Sequence, residues 1–280
     1  MTYPELWHRL LPLYDEGEAK AILRMVLDVG FGLSLADVYA GKVTQLSQDD
    51  TSKLHKMMDK LLQGVPVQYV LGCAHFAGRS FYVAKGVLIP RPETEELCAW
   101  MVQVCGEMAR DGGAKTLLDV GTGSGCIAIT MALDLPLWQV SAIDVSPAAL
   151  TIAKHNAERL CAKVQFSEQN ALDLPRHDAV WDVIVSNPPY IESKVVDELD
   201  DEVKKYEPRL ALDGMEDGLH FYRILAREGK RFLNEGGRLY VEIGFDQAEA
   251  VKEIFGAQGF LDIQVYKDLA GLDRVVAMHR

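Results

Sequence analysis

The tetrapeptide Asn187-Pro188-Pro189-Tyr190 combines residue types that could hold a planar nitrogen group. It follows a run of β-branched apolar residues, which predicts a buried strand that ends at Asn187. Neither proline has an N–H, so the Asn187 side-chain oxygen and the Pro188 carbonyl can both accept hydrogen bonds. Tyr190 adds an aromatic face, and an amide or amino group with two N–H donors would match this arrangement. Asn-Pro is also common turn chemistry, so the tetrapeptide alone is compatible with a simple strand-ending turn.

A glycine-rich loop follows an earlier predicted strand, with the spacing G-x-G-x-G from Gly121 to Gly125. Glycines let the backbone pass close to a ligand, and the free N–H groups at the start of a helix face it. A dinucleotide site is spaced G-x-G-x-x-G, and Asp119 at the strand end would repel a pyrophosphate. The same carboxylate suits an ammonium group, such as the amino-acid end of S-adenosylmethionine, bound directly or through a water. The candidate cofactor residues of this stretch are Asp119, Gly121, Thr122, Gly123, Ser124 and Gly125.

Two further strand ends extend this candidate cofactor site. Asp144 ends the next predicted strand, where an acid can hydrogen-bond a ribose diol. Asn170 and Ala171 follow the third strand, where an adenine could be held, although Asn170 could equally be a turn residue. Ligands of open α/β sheets bind beyond the carboxyl ends of the strands, where the strand order reverses. We therefore expect Asn187 to lie close to the cofactor as well.

The elements that must position these residues are read from the hydrophobic periodicity. Residues 1–72 show helical spacing, with Ser34 and Ser47 as expected N-caps. Gly78 lies between two short apolar runs, which predicts a hairpin. A helix is expected from Pro92 to about residue 109, and from Gly113 onward strands alternate with helices, which indicates an α/β fold with a mostly parallel sheet. Strands are predicted at Thr116–Val120, Val140–Val145, Val164–Glu168, Val180–Ser186, Arg238–Ile243, Ile263–Lys267 and Arg274–Met278. Helices are predicted at Gly125–Leu133, Pro147–Cys161, Leu219–Leu233, Gln247–Gln258 and Asp197–Lys205.

Composition limits the classes of function. The 280 residues carry a formal net charge of −12, which disfavours general attraction to nucleic-acid phosphates. The five cysteines contain no C-x-x-C pair and the seven histidines lack ligand spacing, so we assign no metal and no disulfide framework. The apolar runs are too short for a membrane span and the N-terminus lacks the pattern of a secretory signal, which predicts a cytoplasmic protein.

With these motifs in place, the chain resembles S-adenosylmethionine-dependent methyltransferases of the Rossmann-like class, and within them the release-factor glutamine N5-methyltransferases. The resemblance covers nearly the whole chain. It rests on the motifs Gln68–Gly72, Leu88–Glu95, Asp119–Gly125, Asn187–Tyr190, Glu207–Gly214, Asp217–Leu219, Glu242–Gly244 and Gly271–Val276. Two positions depart from the family pattern: Gly214-Met215-Glu216 stands where relatives usually have Gly-Gly before the Asp-Gly-Leu element, and Asn170-Ala171 where they often have Asp and a bulky residue.

The resemblance implies a fold, a reaction and a partner. The implied domains are a helical bundle at 1–72 that docks substrate, a β-hairpin linker at 73–90 and a seven-stranded methyltransferase domain at 91–280. The implied reaction methylates the glutamine amide in the Gly-Gly-Gln loop of peptide chain release factors, with S-adenosylmethionine as donor and S-adenosylhomocysteine as product. Asn187, Pro188 and Tyr190 are the expected catalytic residues. Pro189, Arg91, Thr94 and Glu95 are further candidates for substrate binding.

Other interpretations remain. An exocyclic amine of DNA or RNA offers the same N–H donors and π-face, but such an enzyme must flip or splay a base and hold phosphates, and a charge of −12 has the wrong sign. A non-catalytic protein that only binds S-adenosylmethionine would have no use for an Asn187-Pro188-Pro189-Tyr190 segment that holds an amide. We expect no stable nucleic-acid or membrane partner, and a monomer is favoured.

Overall fold

A computed structural model of the protein describes residues 1–108, 115–170 and 181–280. Its α-helices are α1 (Tyr3–His8), α2 (Glu16–Phe31), α3 (Leu35–Tyr39), α4 (Gln48–Leu61), α5 (Val67–Leu71), α6 (Pro92–Met108), α7 (Cys126–Asp134), α8 (Pro147–Leu160), α9 (Ser193–Val196), α10 (Asp201–Tyr206), α11 (His220–Phe232) and α12 (Ala248–Ala257). Its strands are β1 (Cys73–Phe76), β2 (Arg79–Tyr82), β3 (Lys115–Val120), β4 (Trp138–Asp144), β5 (Val164–Glu168), β6 (Trp181–Ser186), β7 (Leu233–Glu242), β8 (Leu261–Lys267) and β9 (Asp273–His279).

The described residues divide into two units. The smaller unit contains Met1–Cys73 and Asp200–Tyr206, and the larger contains Ala74–Leu199 and Glu207–Arg280. Within the described ranges, every helix is too short or too polar to cross a lipid bilayer.

The smaller unit is a set of helices around one apolar core. Helix α2 buries Ala19, Ile22, Leu23, Val26 and Leu27, the spacing of an amphipathic helix with one apolar side. Ser34 and Ser47 accept hydrogen bonds from the backbone three residues later, which confirms both expected N-caps.

The larger unit is built on a mixed sheet with the strand order β5-β4-β3-β6-β7-β9-β8. The pairs from β5 to β7 are parallel, and β9 is antiparallel to both β7 and β8. Leu117 and Leu118, neighbours on β3, belong to different core clusters because successive residues of a strand face opposite sides of the sheet. The chain moves outward from β3 through β4 to β5 and returns to pair β6 on the other side of β3. The strand order therefore reverses at β3, where α/β sheets bind their ligands.

Most predicted elements are confirmed, including the hairpin, β1 and β2 around Ala77-Gly78, and the strands of the sheet. Two predictions differ from the structure by more than two residues at one end. The fifth strand of the sheet begins at Leu233 rather than Arg238, because Leu233 pairs with Trp181 across a register shift. The helix predicted at Asp197–Lys205 begins four residues later, as α10 (Asp201–Tyr206), because Asp197 is the C-cap of the preceding helix α9 and a turn follows it.

Candidate functional site

The Asn187-Pro188-Pro189-Tyr190 segment begins where β6 ends, beside the end of β3. Its position is set by Ser186, the last residue of β6, which is buried and donates its hydroxyl hydrogen to the Val120 carbonyl over 2.7 Å. Val120 is the last residue of β3 and precedes the glycine-rich loop. The two motifs that the sequence singled out are thus joined directly at the point where the strand order reverses.

The Asn187 amide is held from behind by two buried side chains. Its Nδ2 donates to Thr94 Oγ1 over 3.1 Å, and the Thr94 hydroxyl donates to Glu242 Oε2 over 2.6 Å. Thr94 is 2% exposed and Glu242 is 1% exposed. Because one arm of the planar amide is bound inward, the other arm, the oxygen Oδ1, is left for a ligand.

The Tyr190 backbone is enclosed by two glycines and a glutamine. Gln247 Nε2 donates to the Tyr190 carbonyl over 2.9 Å. A Cβ on Gly218 would lie 2.4 Å from that carbonyl oxygen, and one on Gly214 would lie 2.8 Å from the Tyr190 Cα. The Tyr190 ring packs partly against the apolar core, and burial raises the pKa of its hydroxyl to about 12. Glycine is therefore required at 214 and 218 for backbone to pass this closely.

The glycine-rich loop has an open side and a packed side. Gly121 and Gly123 have φ angles of 76° and 54°, and a Cβ at either position would meet nothing within 4 Å. At Gly125 a Cβ would lie 2.9 Å from the Ile129 side chain and 3.2 Å from that of Ala153. Gly121 and Gly123 thus leave room for a ligand against the backbone, whereas Gly125 allows α7 to pack against α8.

Asp119 lies fully buried beneath this loop. Its Oδ2 accepts from the Thr122 hydroxyl over 2.7 Å and from the Ala128 N–H over 3.2 Å. Its Oδ1 has no hydrogen-bond partner among the residues that the structure describes. Burial raises the pKa of Asp119 to about 7, against the lowering effect of the bonds from Thr122 and Ala128. An unpaired buried carboxylate oxygen is costly, so it favours a cationic ligand at this place.

Asp144 organises the opposite side of the loop. At the end of β4, its Oδ2 accepts from the Gly123 N–H over 2.9 Å and its Oδ1 from the Ser146 N–H over 2.8 Å. Each carboxylate oxygen keeps a further lone pair for a hydroxyl group. Asn170 lines the same cleft, and Ala171 lies outside the described residues.

These residues surround a cleft of about 1210 Å³, part of which is open to solvent. The predicted site residues that line it are Arg91, Thr94, Gly121, Thr122, Gly123, Ser124, Asp144, Asn170, Asn187, Pro188 and Pro189. Asp119 and Gly125 lie behind the lining, Tyr190 lies beside it, and Glu95 borders a separate hollow with Asp134. Arg91 forms an ion pair with the buried Glu207, which also accepts from the Ile89 N–H over 3.0 Å.

Several residues that hold the site together were not predicted from the sequence. Glu242 and Gln247 support Asn187 and Tyr190. Asn156, fully buried on α8, bonds the backbone of Tyr82 in the hairpin and of Ser124 in the loop. A signal was available for Glu242, since a charge inside the apolar run Leu239–Ile243 needs a partner.

The fold and the cleft are those of a Rossmann-like methyltransferase. A family profile described as "Methyltransferase small domain" matches residues 105–204, and one described as "PrmC N-terminal domain" matches residues 9–72. The crystal structure of a methyltransferase from Pyrococcus furiosus, 18% identical, covers 83% of this chain and 98% of its own with a TM-score of 0.50, which supports the fold.

Curated relatives identify the family within that class. The release factor glutamine methyltransferase of Geobacter sulfurreducens is 38% identical over 98% of this chain and 97% of its own length. The release factor glutamine methyltransferase of Bacteroides thetaiotaomicron is 38% identical over 97% of this chain and 96% of its own. The chain belongs to the release factor glutamine methyltransferase family.

Proposed function

We propose that this protein transfers a methyl group from S-adenosylmethionine to the side-chain amide nitrogen, N5, of the glutamine in the Gly-Gly-Gln motif of peptide chain release factors. Family membership supports the reaction class and the substrate. The observation that carries the proposal within the structure is the orientation of Asn187. Its NH₂ group is bound to Thr94, so the cleft receives an acceptor that matches the N–H groups of a carboxamide.

The residues around the glycine-rich loop fit S-adenosylmethionine. The unpaired Oδ1 of Asp119, which lies behind the lining, would hold the ammonium group through a water, Asp144 would bind the ribose hydroxyls, and Asn170 the adenine. The open backbone at Gly121 and Gly123 would lie against the amino-acid part, beside Thr122 and Ser124. When bound, the cofactor supplies an electrophilic methyl group on a sulfonium.

The residues at the end of β6 would orient the substrate amide. An amide nitrogen is a poor nucleophile because its lone pair is delocalised into the carbonyl, so catalysis depends on positioning. Asn187 Oδ1 and the Pro188 carbonyl would accept its two N–H groups, Pro189 would keep the corner rigid, and Tyr190 would pack on the amide plane. Positive charge grows on the nitrogen during transfer, so both acceptors bind the transition state more strongly than the ground state.

The remaining parts of the proposal concern the partner. Arg91, which lines the cleft, would contact the substrate loop beside this corner. We further propose that residues 1–72 dock the release factor and that the protein acts as a monomer in the cytoplasm, where translation factors are found. No stable nucleic-acid complex is part of the reaction.

Transfer of labelled methyl tests the proposal. The purified protein and labelled S-adenosylmethionine are incubated in parallel with release factor, with release factor whose Gly-Gly-Gln glutamine is replaced by alanine, with DNA and with rRNA. Label in the intact release factor alone, located on the glutamine by mass spectrometry, is the expected result. Label in nucleic acid, or equal label in the glutamine-free factor, would refute it.

A further inference from the structure

Three side chains from separate elements, two of them buried, form a hydrogen-bonded row that ends in the Asn187-Pro188-Pro189-Tyr190 segment. Glu242 ends β7, Thr94 lies in the first turn of α6, and Asn187 follows β6. The row runs from Asn187 Nδ2 to Thr94 Oγ1 over 3.1 Å and from the Thr94 hydroxyl to Glu242 Oε2 over 2.6 Å. Asn187 stands at one end of the row, and both it and Thr94 line the cleft.

The direction of each hydrogen bond in the row follows from the carboxylate. An ionised carboxylate can only accept, so the single hydroxyl hydrogen of Thr94 goes to Glu242. Thr94 Oγ1 then offers only lone pairs to its other neighbour, and lone pairs attract the NH₂ arm of the Asn187 amide. An asparagine amide that lacked such a neighbour could present either arm, since its two ends are nearly the same in shape.

We infer that Glu242, acting through Thr94, fixes the Asn187 amide with its oxygen toward the place where the substrate amide would bind. The reversed amide would present N–H donors to a substrate amide that itself needs acceptors, so it would be unproductive. Thr94 and Glu242 are positioning residues, because they act through Asn187. This inference rests on the function proposed above, since the substrate amide is what requires an acceptor.

Opposing effects act on the pKa of the Glu242 carboxyl. Burial raises its pKa to about 7, while the hydrogen bond from Thr94 and the charge of Arg274 lower it. Arg274 on β9 is itself held by Asp268 over 3.1 Å and by the Ile243 carbonyl over 3.2 Å. The titratable groups whose charges bear on Glu242 or respond to it are Arg274, Glu93, Cys98, Cys126, Tyr190 and Tyr222. Below about pH 7 the carboxyl gains a hydrogen that it can donate to Thr94, and the fixed direction of the row is lost.

Four variants of the full-length chain separate positioning from packing. Thr94→Val removes the hydroxyl at nearly constant volume, and Thr94→Ser keeps it. Glu242→Gln keeps the shape but can both donate and accept. Thr130→Val is the matched control, because Thr130 is 1% exposed and its hydroxyl has no partner within the described part of the chain. Each variant is assayed with release factor for kcat and KM, by calorimetry for S-adenosylmethionine, and by thermal unfolding.

We expect Thr94→Val to lower kcat about tenfold, the effect of one hydrogen bond, with the Kd for S-adenosylmethionine changed less than about twofold. Thr94→Ser should restore most of the rate, and Thr130→Val should match the wild type. Wild-type kcat should fall below about pH 7, and Glu242→Gln should remove that dependence. A Thr94→Val enzyme with wild-type kcat, or a Thr130→Val enzyme equally impaired, would overturn the inference.

A second measurement needs no substrate. In protein labelled with ¹⁵N-asparagine, the side-chain NH₂ signals of Asn187 are identified by their loss in Asn187→Ala. We expect them to shift with pH around a midpoint near 7 in the wild type and to stay constant in Glu242→Gln. Asn187 signals that are identical in the wild type and in Glu242→Gln at every pH would overturn the inference even if Thr94→Val proved unstable. An inactive wild type with these shifts intact would refute the proposed function and leave the row in place.

Discussion

Replacement of Asp119 by asparagine should remove a specific pH dependence from cofactor binding. In the free protein burial raises the pKa of Asp119 to about 7, and Oδ1 has no partner among the described residues. An ammonium group beside Oδ1 favours the ionised carboxyl, so binding of S-adenosylmethionine must displace the proton. Affinity should therefore weaken as the pH falls below about 7.

The size of the effect follows from linkage. The apparent Kd scales with one plus the ratio of protonated to ionised Asp119, and this ratio is about 10 at pH 6.0 and about 0.3 at pH 7.5. The Kd should thus be about eightfold higher at pH 6.0 than at pH 7.5. At pH 6.5 binding should release about 0.8 proton. Asp119→Asn should bind about tenfold more weakly at pH 7.5, because a hydrogen bond to a charged group is lost, and should show no such slope.

Calorimetry in buffers of different ionisation enthalpy measures both the Kd and the protons released. The amine of the ligand titrates identically against both proteins, so the difference between wild type and variant isolates Asp119. A wild-type Kd that is constant within twofold between pH 6.0 and 7.5, or a variant that keeps the wild-type slope, would refute the reasoning.

The same carboxyl predicts the direction of a stability change. Its pKa in the folded state lies above the ordinary value of 3.8, so its contribution to folding stability is complete at low pH and is lost as the pH rises through about 7. In the absence of cofactor, the wild type should lose stability relative to Asp119→Asn as the pH rises from about 4 to about 7. Urea unfolding at a series of pH values measures this difference.

Three further substitutions test other parts of the site. Asn187→Ala should lower the rate of methyl transfer about 10²-fold in single-turnover kinetics but weaken S-adenosylmethionine binding far less by calorimetry, and equal loss of both would count against its role. Gly218→Ala places a Cβ 2.4 Å from the Tyr190 carbonyl oxygen at a φ of 71°, so the free energy of unfolding in urea should fall by about 2 kcal/mol or more. Gly236→Ala is the control, because Gly236 has a φ of 73° but open space around it, and it should lose only the part that comes from backbone strain. Met215 has a φ of 70°, so Met215→Gly should raise the urea midpoint by the equivalent of up to about 1 kcal/mol, and a lowered midpoint would contradict this.

The sequence predicted the parts of the site that are encoded locally. Asn187-Pro188 and the loop from Gly121 to Gly125 each directly follow a strand, and such a strand with its turn is visible in a short window of residues. Their convergence followed from the rule that ligands bind where the strand order reverses. The structure brings both motifs to that point.

The parts that the sequence did not predict depend on residues far apart in the chain. Thr94 and Glu242 are 148 positions apart, and Ile89 and Glu207 are 118 apart. Periodicity indicates that a residue is buried but not which distant side chain it meets. Met215 is different: the sequence marked it as a departure where relatives usually have glycine, and the structure shows the left-handed backbone that makes glycine favourable there.

Two buried carboxyls, Asp119 and Glu242, have pKa values raised to about 7 by burial, and they support opposite halves of the proposed site. Asp119 has an unpaired oxygen among the described residues, so a cationic ligand beside it would favour its ionised form. Glu242 is already bonded to Thr94, so its ionisation sets the direction of a hydrogen bond rather than the affinity for a ligand. A carboxyl with a pKa near 7 is close to half ionised at neutral pH, so a small change in its surroundings shifts its protonation state. In the proposed reaction the two buried carboxyls would serve different purposes: Asp119 at β3 would favour an ammonium group, and Glu242 at β7 would keep the acceptor arm of Asn187 toward the amide to be methylated.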